Sequence, residues 1–367
     1  MCDGISRGWF LAAAGAAALP LLATPASAAE LPATPKGLSA GNAHAAQIAR
    51  NSHFIRAQFA ATSQLVHSIG NPRLRDDVTG LLADPVPKYA RKYRTAEERL
   101  ALRDALARAG FIKSDDPLEG IFPPGTDGSR AVQPFWSAPG SAYDSHHSYP
   151  GGLLVHELFN ARISEYFAAS YNTEYFAGQK RVDRDLVVAA AFYHDVMKTA
   201  VFQFNPDGTL LPELQIAGTG GHHCLSGAEA IARAHDARFV TVLLSAHAAP
   251  SLGDQVKVAT WCRAAAMIAG VDPVEYGLLD RSGNLAALPP IEAFVSNLSD
   301  HDYVLSVHAM QNVSPILEML APYATGSAEA RWWRHRVLAN TSAIALYEVA
   351  LHGDATFRKA VDAALSW

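Results

Sequence analysis

The segment Val187 to Tyr193 is apolar at every position and runs directly into His194-Asp195. A helix with one apolar stripe lies on a surface, whereas a helix apolar all round is enclosed on every side. The segment therefore demands a bundle of helices around it. It also delivers an imidazole and a carboxylate into the interior of that bundle. A buried Asp is costly unless a cation pairs with it. Lys198, one turn on, and a metal ion shared with His194 are two ways to remove that cost.

Three further histidines stand in comparable settings. His156 follows Tyr149-Pro150-Gly151-Gly152-Leu153-Leu154-Val155, and a Gly-Gly start lets a helix begin close against neighbouring backbone. His223 opens another helix, four residues before Gly227, and His247 ends the mostly apolar run Val240 to Leu244. Imidazole and carboxylate bind divalent metals at neutral pH, and apolar surroundings keep water from competing. Each histidine alone reads as a satisfied core residue. Four on successive helices around one His-Asp pair read as a metal site made by His156, His194, Asp195, His223 and His247.

The rest of the chain is mainly α. Periodicity predicts helices near 43–69, 95–109, 152–169, 184–200, 224–236, 238–248, 254–270, 302–321 and 327–352, the last stopped by Gly353. Thr95 with Glu98 forms a capping box. From Asp115 to Pro150 the chain is rich in Pro, Gly and Asp without periodicity, which reads as a long surface loop. The turns Phe204 to Thr209 and Arg281 to Asn284 each cap a small β-hairpin insertion.

Arg7, the apolar run Gly8 to Ala23 and the small-x-small triplet Ala26-Ser27-Ala28 read as a cleaved export signal. The organisation that follows is a signal over 1–28, a linker over 29–42, N-terminal helices and the long loop over 43–150, and the histidine-bearing helical domain with C-terminal helices over 151–367. Cleavage near Ala28 places the mature chain in a periplasm or outside the cell. No later segment is apolar for long enough to anchor it in a membrane. The net charge of −5 argues against general nucleic-acid binding, which favours a basic patch. Cys224 and Cys262 remain after cleavage, and an oxidising compartment permits, without requiring, a bridge between them.

The pieces Tyr149-Pro-Gly-Gly-Leu-Leu-Val-His156, Tyr193-His-Asp-Val-Met-Lys198, His223-Cys-Leu-Ser-Gly227 and Leu244-Ser-Ala-His247 together resemble the HD-domain superfamily. Its members carry the pattern H…HD…H…H…D on a bundle of helices, and the resemblance covers roughly residues 145–270. It implies a metal-dependent hydrolase of a phosphate ester or nucleotide, exported if the N-terminal signal is read as above, so the partner is a phosphorylated small molecule. Asp195 would bridge or ligate one or two divalent transition-metal ions (Mn, Fe, Zn or Ni) held by the histidines, and Lys198 would meet the phosphate or orient the nucleophile. A smaller branch of the superfamily uses mixed-valent di-iron to activate oxygen.

The chain departs from the pattern at its end. Where a last Asp belongs, in Arg263-Ala264-Ala265-Ala266, the sequence has Ala266, and Asp272 and Asp280 are the carboxylates nearby. That departure keeps open a degenerate HD module that binds a ligand or partner without turnover. The neighbouring polar residues read as bystanders. His146-His147 is a solvated loop pair, His222 stands beside the ligand His223, and Asp300-His301-Asp302 caps a helix.

Overall fold

The computed structural model describes residues 30–366, so the export signal and its cleavage site lie outside the described residues. Among these the protein is mainly α, with fifteen α-helices and one two-stranded sheet. No helix of the described residues is long and apolar enough to cross a membrane.

The N-terminal helices are α1 (Ala40–Asn51), α2 (His53–His67), α3 (Pro72–Ala83) and α4 (Ala96–Arg108). The stretch read as one helix over 43–69 breaks at Ser52. Its hydroxyl accepts from the Ile55 amide (3.0 Å) and donates to the Ala339 carbonyl (2.7 Å). A serine that bonds locally to backbone offers the chain an alternative to helix continuation. At α4 the capping box is present, with Thr95 Oγ1 accepting from Glu98 N at 3.1 Å and Glu98 Oε2 accepting from Thr95 N at 2.9 Å.

The bundle starts with α5 (Gly152–Glu174), α6 (Arg184–His194) and the single turn α7 (Lys198–Val201). Every residue of α6 from Leu186 to His194 is buried, as its unbroken apolar run requires. Helix α6 stops six residues short of the predicted end. Asp195 leaves helical geometry (φ −115°, ψ 6°), and the turn folds Lys198 back onto the Asp195 carboxylate. A hairpin of β1 (Gln215–Ile216) and β2 (Thr219–Gly220) then feeds α8 (Gly221–Ala232), followed by α9 (Ala237–Leu244) and α10 (Gln255–Ala269). Its turn residues Ala217 and Gly218 both have positive φ, as tight hairpins demand. The two turns expected to cap hairpins do so around single bridges, Phe204 with Leu210 and Leu279 with Leu285.

Helix α11 (Ile291–Asp300) packs against α5, α6 and α9, and the sequence reading did not anticipate it. Its C-terminal half buries Ser296, Asn297, Ser299 and Asp300, so the inward face lacks the apolar stripe by which a helix is recognised. Those polar groups are paired instead, Asn297 Nδ2 with the Ala246 carbonyl (3.0 Å) and Ser299 Oγ with Ser164 Oγ (2.8 Å).

The chain closes with α12 (Asp302–Leu320), α13 (Ala328–Thr341), α14 (Ala343–Ala350) and α15 (Asp354–Leu365). The helix expected over 327–352 breaks at Ser342, whose φ is +67° and whose hydroxyl caps α14. Gly353, with φ +96°, lies at the break just beyond the end of α14, and α15 follows it.

The segment 115–150 is a surface loop only in part: 115–120, 127–131 and 141–146 are exposed or half-buried, and the rest enters the interior. Residues 132–140 and 147–150 are buried throughout, with Phe135, Trp136 and Tyr149 in the core. Cys224 and Cys262 are both buried and free.

Where this segment meets α5, a Cβ added at Gly152 would run into the carbonyl of His147. Helix propensity alone favours Ala there by about 1 kcal/mol. Overpacking against fixed backbone outweighs it, so Gly152→Ala is expected to destabilise the fold by about 1–3 kcal/mol in denaturant melts. A variant as stable as the parent would show that this approach is not tight.

Candidate metal centre

Five elements converge on one buried point. Helix α5 presents His156 on its second turn, α6 ends in His194, and the turn after it holds Asp195 with Lys198 behind. The start of α8 presents His222 and His223, and a short turn after α9 presents His247. The sixth contribution is Asp300, at the last position of α11.

Asp195, fully buried, faces two different groups through its two oxygens. Oδ2 lies 3.2 Å from His156 Nε2 and 3.5 Å from His194 Nε2. Oδ1 lies 3.1 Å from His222 Nε2 and 3.4 Å from His247 Nε2. Asp300 completes both groups: Oδ1 stands 3.2 Å from His156 Nε2 and 3.3 Å from His194 Nε2, and Oδ2 stands 3.3 Å from His247 Nδ1.

Two donors each about 2.1 Å from one ion, at 90° to 109°, stand about 3.0–3.4 Å apart. The observed separations match that spacing. They are poor as hydrogen bonds, because Asp195 Oδ1 and Oδ2, His194 Nε2, His222 Nε2 and His247 Nε2 are all buried with no aligned hydrogen-bond partner. Buried polar atoms are rarely left so. His156 Nε2 and Asp300 Oδ1 share Asn160 Nδ2 at 3.3 Å and 3.1 Å; the other lone pairs converge without hydrogen bonds, which is what a cation would satisfy, and the set fits a divalent metal. Asp195 with His222, His223 and His247 makes one group able to hold an ion, and His156, His194 and Asp300 make another.

Asp300 corrects the sequence reading. Ala266 is buried among the apolar residues of α10 and faces a core position, so no carboxylate is missing from the centre. Asp272 and Asp280 do not substitute, since each caps its own turn, bonding Val274 N and Ser282 N respectively at 2.8 Å. Asp300 belongs to Asp300-His301-Asp302, which in sequence reads as a helix cap because α11 carries polar residues on its inward face. The structure also brings in His222, whose Nε2 is the imidazole nitrogen nearest Asp195 Oδ1. His223 stacks on His247 with ring centroids 3.3 Å apart and shares its Nδ1 with Thr219 Oγ1 at 2.5 Å. His146 and His147 are likewise not a solvated pair, as they pack against His156.

The supporting contacts are carboxylates that no motif signalled. Glu213, just ahead of the hairpin, bonds the His222 Nδ1 and accepts from the His222 amide at 2.9 Å. Glu157 Oε2 lies 3.1 Å from His194 Nδ1, which also meets the Ala191 carbonyl at 2.7 Å. Such partners fix the tautomer and orientation of a ligating imidazole. Lys198, 2% exposed, pairs with Asp195 Oδ2 and donates to the Gly140 carbonyl at 2.6 Å.

Charge at the centre follows from these contacts. Burial pushes the Asp195 carboxyl up, but Lys198, His194 and His222 outweigh it and hold the group well below the usual range. Asp300 is likewise held well below by His194, His156 and His247 against the effect of burial. Burial opposes protonation of His156, yet Asp195 and Asp300 raise its pKa to about 9. His223 moves the other way, driven well below its ordinary value by burial and by His247.

Comparison with protein-family models, curated proteins and solved structures finds no match to this chain.

Proposed function

We propose that the protein is a metal-dependent hydrolase of phosphate esters or nucleotides, of the HD-domain type that its sequence resembles. The observation that carries the reading is Asp195: a fully buried carboxylate whose two oxygens face separate sets of imidazoles at ligand-to-ligand spacing. His156, His194, Asp195 and Asp300 would hold one ion, and Asp195, His222 or His223, and His247 a second. Divalent ions there supply Lewis acidity, lowering the pKa of a water and offsetting charge that builds on phosphoryl oxygens.

The chain's own residues do the rest. The Ala191 carbonyl orients His194 through Nδ1, with the Glu157 carboxylate beside it, and Glu213 orients His222. An ammonium has three donors; Lys198 gives one to the Gly140 carbonyl and pairs with Asp195 as a charge, which leaves donor capacity for a phosphoryl oxygen or the attacking water. His223 and His247 are the histidines among the seven discussed donors with partial exposure, so substrate approaches past them. Asp300 weakens the case for a degenerate binding module, since the carboxylate that seemed to be lost at Ala266 has a counterpart on α11.

The test is a panel of phosphomonoesters, phosphodiesters and nucleotides with metal-replete protein. Turnover of at least one class is expected, reduced about 10²–10³-fold by Lys198→Ala, the scale of one lost electrostatic contact in a transition state. If metal-loaded protein turns over none of them, the hydrolase reading fails. Redox-active iron with oxygen uptake would instead favour the di-iron oxygenase.

A further inference from the structure

His146 and His147 precede α5 on a segment whose backbone is bound firmly to the bundle. The Gly140 amide donates to the His147 carbonyl at 2.8 Å, and the Gly140 carbonyl in turn accepts from Lys198 Nζ. Asp144 pairs with the buried guanidinium of Arg334, which lies over the Tyr143 ring, 4.0 Å from its centroid. His147 takes a φ of +54°, a region that non-glycine residues seldom enter. The fold holds both imidazoles inward at the expense of backbone freedom.

What they face is His156. The ring centroids of His146 and His147 stand 4.8 Å and 5.2 Å from that of His156, and 5.7 Å from each other. Imidazoles sharing one ion, with ring nitrogens about 2.1 Å from it, have centroids roughly 5 Å apart. One ring nitrogen from each of the three lies within 4.8 Å of the others. Asp302 adds a carboxylate 3.9 Å from His147 Nε2, oriented by Ser306 Oγ at 3.0 Å. His156 meets Asp195 and Asp300 through Nε2, while its Nδ1 is buried without a hydrogen-bond partner.

We propose that His146, His147 and His156 hold a further divalent transition-metal ion, adjoining the two positions that share Asp195, with His156 bridging to its neighbour as an imidazolate whose remaining ring proton is released on binding. Imidazole-rich donors with one carboxylate near suit Zn²⁺, Fe²⁺ or Ni²⁺ over Mg²⁺ or Ca²⁺. The inference needs His156 in common with the neighbouring centre but does not depend on what reaction that centre performs.

The test counts ions rather than turnover. Metal-stripped protein is saturated with Zn²⁺, freed of excess, and analysed by plasma mass spectrometry. The unmutated chain should retain three ions and the His146→Ala/His147→Ala double variant two. A His146→Gln/His147→Gln pair, checked by circular dichroism for intact helix, separates ligand loss from collapse of the loop. Asp302→Asn should weaken uptake of the same ion. Asp195→Ala reports separately on the other two positions. Equal counts in the parent and a folded double variant would overturn the proposal, whatever Asp195→Ala shows.

Discussion

Replacing Asp300 with Ala is expected to remove bound metal and, on the proposed hydrolase reading, to reduce turnover about 10²–10³-fold, the scale of losing one electrostatic element of a catalytic site. The carboxylate stands within 3.3 Å of nitrogens on His156, His194 and His247, so no other side chain meets both groups of donors except Asp195. Its loss leaves the buried imidazoles with Asp195 as the one carboxylate common to both groups, so each ion loses an anionic ligand. The fold should survive, because α11 keeps its contacts through Asn297 and Ser299. The complementary change is Ala266→Asp, which restores the carboxylate where a family pattern would have it. Ala266 is fully buried among apolar neighbours, so that variant should be destabilised by several kcal/mol and gain no metal. Metal content and melting temperature of the two variants decide the matter. A metal-replete, active Asp300→Ala protein would mean that Asp300 is a structural partner of the histidines.

The contrast between these positions shows which parts of the centre local sequence can carry. The enclosure of α6 is a local property of Val187 to Tyr193, so the mainly α bundle and the placement of His194-Asp195 were legible. His156 and His247 were legible for the same reason, each being attached to a helix with strong apolar content. Asp300 was not. Its helix turns Ser296, Asn297 and Ser299 inward, and partners for them come from α5 and the turn before His247, far away in sequence. The choice between His222 and His223 was hidden for another reason. Adjacent helical residues point about 100° apart, so which one faces Asp195 depends on where α8 starts. That start is set by the β1–β2 hairpin, whose turn is only two residues long. Segment 132–150 misled because Pro and Gly usually mark solvent-exposed loops, whereas here they pack the roof of the site.

Protonation and metal uptake should oppose each other across neutral to mildly alkaline pH, and the opposition is large enough to measure by melting temperature. In metal-free protein His156 has a pKa raised to about 9 by Asp195 and Asp300, against about 6.5 in an unfolded chain. A group raised on folding stabilises fully below its unfolded pKa and loses that contribution as pH rises through the folded one. Chelator-treated protein should therefore lose stability between about pH 6.5 and 9, on the order of 3 kcal/mol from this group if it titrates alone. Asp195 and Asp300 are depressed on folding, so their contribution is present above about pH 4 and disappears only in acid. Metal reverses the alkaline trend. An imidazole must be unprotonated at the nitrogen that ligates, so each proton displaced on binding makes affinity rise up to about tenfold per pH unit over the same interval. The gap in melting temperature between Zn²⁺-loaded and chelator-treated protein should accordingly widen from pH 6.5 to 9. Two curves that run parallel across that interval would show that His156 is not both the proton acceptor of the empty centre and a ligand of the filled one.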